Sequence, residues 1–160
     1  MIVTLPDNTK PFDITETSVV RIQKAVAGYM RPGSNSRIDA SSTYDVVEQA
    51  EALAALVRAK VPTFVPLTLP NGNPVWIDAK KSAGPDWLPP GDRSPTRNSA
   101  VITGNKRLVV RETPEVVAQI IGDAGGEVMP IREDSFFTSA VEKLDSLIRP
   151  VEDWEDPPTQ

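Results

Sequence analysis

The sequence predicts an α+β fold: two repeated β-hairpin-plus-helix units packed as a pseudo-twofold pair, with an added C-terminal helix and an acidic tail. A Thr-Leu-Pro turn motif occurs twice. A Thr-x-[Asp/Glu]-Val-Val-x-Gln motif also occurs twice, in the same order. A unit of this size buries too little apolar area alone, so two copies are expected to pack together. The division that follows is a first repeat over 1–61, a second over 62–124, and a C-terminal helix and tail over 125–160.

The hairpins come first. Thr4 to Pro11 read TLPDNTKP and Thr68 to Pro74 read TLPNGNP. Alternating apolar positions follow each turn, Phe12 and Ile14 in one copy, Val75 and Ile77 in the other. Asn71-Gly72 is a strong hairpin signal, because both residues tolerate the positive φ of a type I′ turn. Asp7-Asn8 is its weaker counterpart. Flanking prolines suit edge strands, where a missing N–H is tolerated. Further strands are expected at Val19–Ala27 and Ser36–Ala40 in the first copy. In the second they are expected at Ala100–Thr103 and Arg107–Arg111, turning at Gly104-Asn105.

A helix should close each copy. TYDVVEQ, Thr43 to Gln49, and TPEVVAQ, Thr113 to Gln119, both look like helix starts. Threonine caps well, Pro114 suits the first helical position, and Asp45 and Glu115 put negative charge against the helix dipole. Val46, Val47, Ala50, Leu53, Ala54 and Val57 continue the first helix at helical spacing. Val116, Val117, Ile120 and Ile121 form the second, which should stop at Gly122. The offset between copies grows from 64 at the first motif to 70 at the second, which places a longer loop, roughly Ala79 to Ser99, in copy two. A short strand is expected near Glu127–Ile131. A helix is expected from Asp134, with Phe136, Val141, Leu144 and Ile148 on one face.

Composition narrows the function. The 160 residues include no cysteine and no histidine. Disulfides, thiolate nucleophiles, zinc sites built on Cys or His, and Ser–His–Asp or Cys–His catalysis are thereby excluded. The commonest general base at neutral pH is missing too. Asp78, Asp86 and Asp92 lie close in sequence, but no metal-ligand spacing emerges. The expectation is a non-enzyme with no metal and no cofactor.

The net charge of −5 argues against nucleic acid as a partner of the whole surface. Charge is nevertheless segregated. Ala79 to Arg111 carries +5 and Glu133 to Asp156 carries −6. A candidate binding face follows in the basic segment: Arg93, Arg97, Lys106, Arg107 and Arg111 to hold phosphates, with Trp87 to stack on a base. Trp154, among acids in the tail, is read as a docking anchor for the basic segment of the same or a neighbouring copy. No apolar run approaches membrane length. MIVTLPDNTK shows no basic stretch before an apolar core, so the expected location is cytoplasmic, or virion if phage-encoded.

Copy two, from LPNGNPVWID through AVITGNKRLVVRETPEVVAQIIG, carries a further pattern in Val110, Arg111, Glu112, Thr113, Glu115 and Val117. Residues 64–122 resemble the small FlbD-like family associated with flagellar genes and with short bacterial and phage proteins of the same layout. Residues 1–57 match more faintly, through Lys10-Pro11-Phe12 and Arg21-Ile22. Members are single short units. The doubling, the insertion PDWLPPGDRSPTR and the C-terminal extension are therefore departures. The resemblance implies the fold and a regulatory or accessory role rather than a chemistry. Two functions follow. The first is a non-enzymatic assembly or interaction protein, as in a phage particle or other large complex, forming homo-oligomers or larger assemblies. The alternative is a small regulatory protein that sequesters a phosphorylated ligand on the basic loop.

Overall fold

A computed structural model describes residues 1–132. Within them are eleven strands in three sheets and two α-helices. The described residues divide into two compact units, 1–67 with 73–78, and 68–72 with 79–132. The expected helix from Asp134 and the tail with Trp154 lie outside the described residues.

In the first unit β1 (Ile2–Leu5) and β2 (Asn8–Asp13) form a two-stranded antiparallel sheet. Leu5 pairs with Asn8, so the turn is Pro6-Asp7 rather than Asp7-Asn8. Proline presets the φ that a turn's first central residue needs. β3 (Arg21–Lys24), β4 (Ser36–Asp39) and β5 (Thr43–Val46) follow as an antiparallel meander.

The strand β5 corrects the expected helix start at Thr43. Thr43 to Val46 pair residue by residue with Asp39 to Ser36. The chain stays extended beyond them, because Asn35 donates to the Val47 carbonyl at 2.6 Å and Ser36 to that of Glu48 at 2.8 Å. Helix α1 therefore begins only at Ala50 and runs to Lys60. Thr43 caps nothing; its hydroxyl donates to Asp39 at 2.7 Å. The helix buries Ala50, Leu53, Ala54 and Val57, as their spacing requires. Val46 is buried as the last residue of a strand, which is why it mimicked the same stripe.

Strands β6 (Phe64–Thr68) and β7 (Pro74–Asp78) complete a five-stranded sheet in the order β5-β4-β3-β7-β6. Pro66 sits on the edge strand, where its missing N–H leaves no ladder bond unmade. The loop between them is not a type I′ turn. Gly72 donates to the Leu69 carbonyl at 2.8 Å, and only Gly72 takes a positive φ there, +87°. Pro70 and Asn71 form the turn, and glycine supplies the left-handed step after it. Ile22 and Ile38 point into the core with α1, with Phe64 also buried there. The opposite face of β3 carries Arg21 and Gln23, each 1% exposed. Arg21 Nε donates to Asp39 Oδ2 at 2.6 Å.

In the second unit the sheet order is β10-β9-β8-β11, with β8 at Ser82–Asp86, β9 at Ser99–Thr103, β10 at Lys106–Val110 and β11 at Glu127–Val128. The hairpin at Gly104-Asn105 forms as expected. The stretch from Ala79 to Ser99 is not one loop, because it contains β8. The strand was hidden by Gly84 and Pro85, which lie in a bulge where the β9 register shifts between Ala83 and Asp86. β11 runs parallel to β8.

Helix α2 (Pro114–Asp123) starts as read. Thr113 Oγ1 accepts from the Val116 amide at 3.4 Å and Pro114 fills the first turn. The Glu115 carboxyl lies below its ordinary range, lowered first by its backbone hydrogen bond and then by Thr113. The helix passes Gly122 and ends at Asp123, with Gly125 taking a left-handed φ of +76° two residues beyond it. A side chain on Gly126 would collide with the Ala79 carbonyl, so glycine is required there.

Two clasps have the same wiring. Thr4 N donates to Glu48 Oε2 at 3.1 Å and Val47 N to Thr4 O at 3.0 Å. Thr68 N donates to Glu112 Oε1 at 2.9 Å and Arg111 N to Thr68 O at 2.8 Å. The carboxylate lies 44 residues after its threonine in both. Asn98 and Ser99 repeat the roles of Asn35 and Ser36, donating to the Arg111 and Glu112 carbonyls.

Asp45 gives the first unit a pH dependence. Burial pushes its carboxyl up, but two bonds from Arg37, at 2.7 and 3.2 Å, and the Arg31 amide outweigh it and hold it below the ordinary range. A folded-state pKa below the unfolded one stabilises above the unfolded value and is lost as pH falls through the folded one. Asp45→Asn should therefore lower the melting temperature at neutral pH. The gap to the parent should close as pH falls past the ordinary value of 3.8, as thermal melts followed by circular dichroism would show.

Candidate functional site

The loop Trp87–Asn98 leaves the end of β8 and is held by side chains from its own unit. Asp86 accepts the Trp87 amide at 3.0 Å on one oxygen and Arg107 Nε at 2.6 Å on the other. Arg107 also donates to the Trp87 carbonyl at 2.5 Å. A planar guanidinium bridges a carboxylate and a carbonyl with donors fixed in one fork, which a flexible ammonium does not preset. Arg93 Nε donates to the Leu88 carbonyl at 2.9 Å, and its guanidinium lies 5.9 Å from the centre of the Trp87 ring. That is cation–π range. Below the loop Leu88 packs on Ala100 and Val109.

Beside this pair is a shallow cleft of about 270 Å³ of empty space, lined by Pro85, Trp87, Leu88, Arg93, Asn98, Pro114, Pro130, Ile131 and Arg132. Its walls are mostly proline and apolar side chains, with two guanidinium groups among them. Such a surface suits an apolar or planar group with a negative end.

The predicted basic face is thus divided. Trp87 and Arg93 come together at the cleft. Arg107 stands behind the loop as a brace. Arg111 is elsewhere, donating to the Leu69 and Pro70 carbonyls at the Thr68–Gly72 turn, at 2.6 to 3.2 Å. Arg97 donates to the Asp92 carbonyl at 3.3 Å within the loop. Neither Arg97 nor Lys106 lines the cleft. Asn98, Ile131 and Arg132 line it without having been singled out in the sequence. Arg132 arrives through the parallel pairing of β11, which two residues of strand do not announce.

Among the described residues no group of three acidic side chains is placed to hold a metal ion. Asp78 accepts from Thr63 at 2.7 Å, and Asp86 is taken up by Arg107. No helix among them is long and apolar enough to cross a membrane. No family model matches the chain, and neither a curated protein nor a solved structure matches it.

Arg107 is expected to matter for stability. Its side chain is 10% exposed and its partners are a carboxylate and a carbonyl. Arg107→Ala should destabilise by about 1.5–3 kcal/mol in urea unfolding, the usual range for charged hydrogen bonds. Arg107→Lys should restore only part of this.

Proposed function

We propose that the protein is a non-enzymatic assembly component built from two diverged copies of one strand-and-helix unit. It belongs, on this reading, to the accessory structural parts of large complexes such as phage particles. Support for two copies comes from the element order. Two strands, a 3-10 turn, three strands and a helix occur from β1 to α1 and again from β6 to α2, the second run having one further 3-10 turn, Pro90–Asp92, between β8 and β9. The two clasps add four matching hydrogen bonds. They align the copies at Val46-Val47-Glu48 and Val110-Arg111-Glu112, not at the two Val-Val-x-Gln motifs. The FlbD-like resemblance of copy two favours the same accessory role.

One observation carries the functional reading. The second copy's β7 pairs with β3, a strand of the first, so strand addition between like units already holds this chain together. The phosphate-binding alternative is weakened because its arginines serve different places. Arg107 and Arg111 brace carbonyls of their own unit, and only Trp87 and Arg93 meet at the cleft.

Native mass spectrometry of the full chain, with and without nucleoside triphosphate, tests the choice. Assembly predicts masses at multiples of 17.4 kDa that nucleotide leaves unchanged. A monomer at all concentrations that takes up nucleotide would support the sequestering alternative instead.

A further inference from the structure

We infer that the outer edge of β2 docks on the β8 edge of a second copy of this chain by antiparallel strand addition, linking chains head to tail. This rests on the assembly reading and names the partner and the surface.

The donor edge is defined by comparison with β7. Pro11-Phe12-Asp13 at the end of β2, with Ile14 after it, corresponds to Pro74-Val75-Trp76-Ile77 in β7. In β7 the Asp78 amide donates to the Val20 carbonyl at 3.0 Å, and Trp76 lies opposite Ile22. Bonding alternates along an antiparallel pair, so Trp76 and Asp78 turn their backbone groups toward β3. Just after β2 the Ile14 amide donates to Met1 at 2.9 Å, and within β2 Phe12 lies opposite Val3. Phe12 and Ile14 therefore turn toward β1, and Pro11 and Asp13 turn outward. Asp13 stands where Trp76 stands. The edge that β3 fills in β7 is the same edge that carries no strand in β2 among the described residues. An open strand edge is a template for pairing. Proline is no obstacle, because Pro74 holds the position of Pro11 at the start of β7, and β7 pairs.

The acceptor follows from the same correspondence. Ala83 lies opposite Ile102 as Arg21 lies opposite Asp39, so β8 takes the place of β3. The far side of β3 is covered by β7 over a run of three residue pairs. Among the described residues the far side of β8 holds β11, two residues long, parallel and exposed on both, and the Met129 amide, which donates to the Gly84 carbonyl at 2.8 Å. A pair of parallel bridges is a weak cover, and a hairpin strand brings a longer antiparallel ladder. The docked register places Asp13 opposite Gly84, which has no side chain to obstruct it. The two surfaces differ, so the contact is head to tail and closes into a ring or grows as a filament.

Light scattering and hydrogen exchange on the full chain, over a concentration series, test this. As mass rises, exchange at the Asp13 amide should slow about tenfold or more, while amides of residues 127–129 exchange faster as β11 is displaced. Asp13→Pro removes the outward N–H and should raise the association midpoint at least tenfold. If that variant does not fold, exchange on the parent chain decides. Assembly with no change at Asp13 overturns this inference and leaves the assembly reading standing. Protection at Asp13 with none of the expected change at 127–129 means β2 pairs with β2 and overturns the head-to-tail contact. A chain monomeric throughout overturns both.

Discussion

In each half a glutamate carboxylate takes the backbone N–H of a threonine on the hairpin, Glu48 from Thr4 and Glu112 from Thr68. The residue before each glutamate donates its own amide back to that threonine. The hairpin is thereby tied to the end of the last strand before the helix. This fixes three things at once. The chain must stay extended through the glutamate, the helix can begin only after it, and the hairpin's second strand is left with its outer edge turned away. A charge-assisted bond to a backbone amide is among the stronger local ties available, and it suits a protein with a modest core.

The clasp also explains why one helix was legible and the other was not. In copy two the glutamate is followed by Thr113-Pro114, a cap and a first-turn proline, so the boundary is written in the residues. In copy one it is followed by Gln49, which makes no side-chain cap bond. The apolar spacing of Val46, Ala50, Leu53 and Val57 runs without a break from strand into helix. Periodicity alone places the start several residues early. A signal was present in Glu48 and Glu112, each spaced alike from Thr-Leu-Pro, but only the folded backbone shows that each takes the amide of its threonine. The other misses have similar causes. Gly84 and Pro85 disguise a bulged strand as loop, and Asn71-Gly72 belongs to a turn set by Pro70.

The basic segment teaches a related lesson about charge. Counted along the chain it is a candidate anion site. Folded, its four arginines spend donors on carbonyls, three within the Trp87–Asn98 loop and one at the Thr68–Gly72 turn. Guanidinium is well suited to this, because it satisfies loop carbonyls that no ladder reaches. Trp87 and Arg93 were readable only as two members of one basic face; their contact is a product of the fold. The cleft beside them was not readable, since half of its lining arrives from Asn98, Pro114 and the chain after β11.

The central claim is that the β6–β7 hairpin completes the sheet of β3, β4 and β5. Residue-resolved hydrogen exchange under native conditions measures it directly. The account predicts that the Trp76 and Asp78 amides open together with β3 and β4, at one common free energy. If instead they exchange with β8, β9 and β10 while β3 and β4 stay protected, the hairpin belongs with the other sheet and the account is wrong.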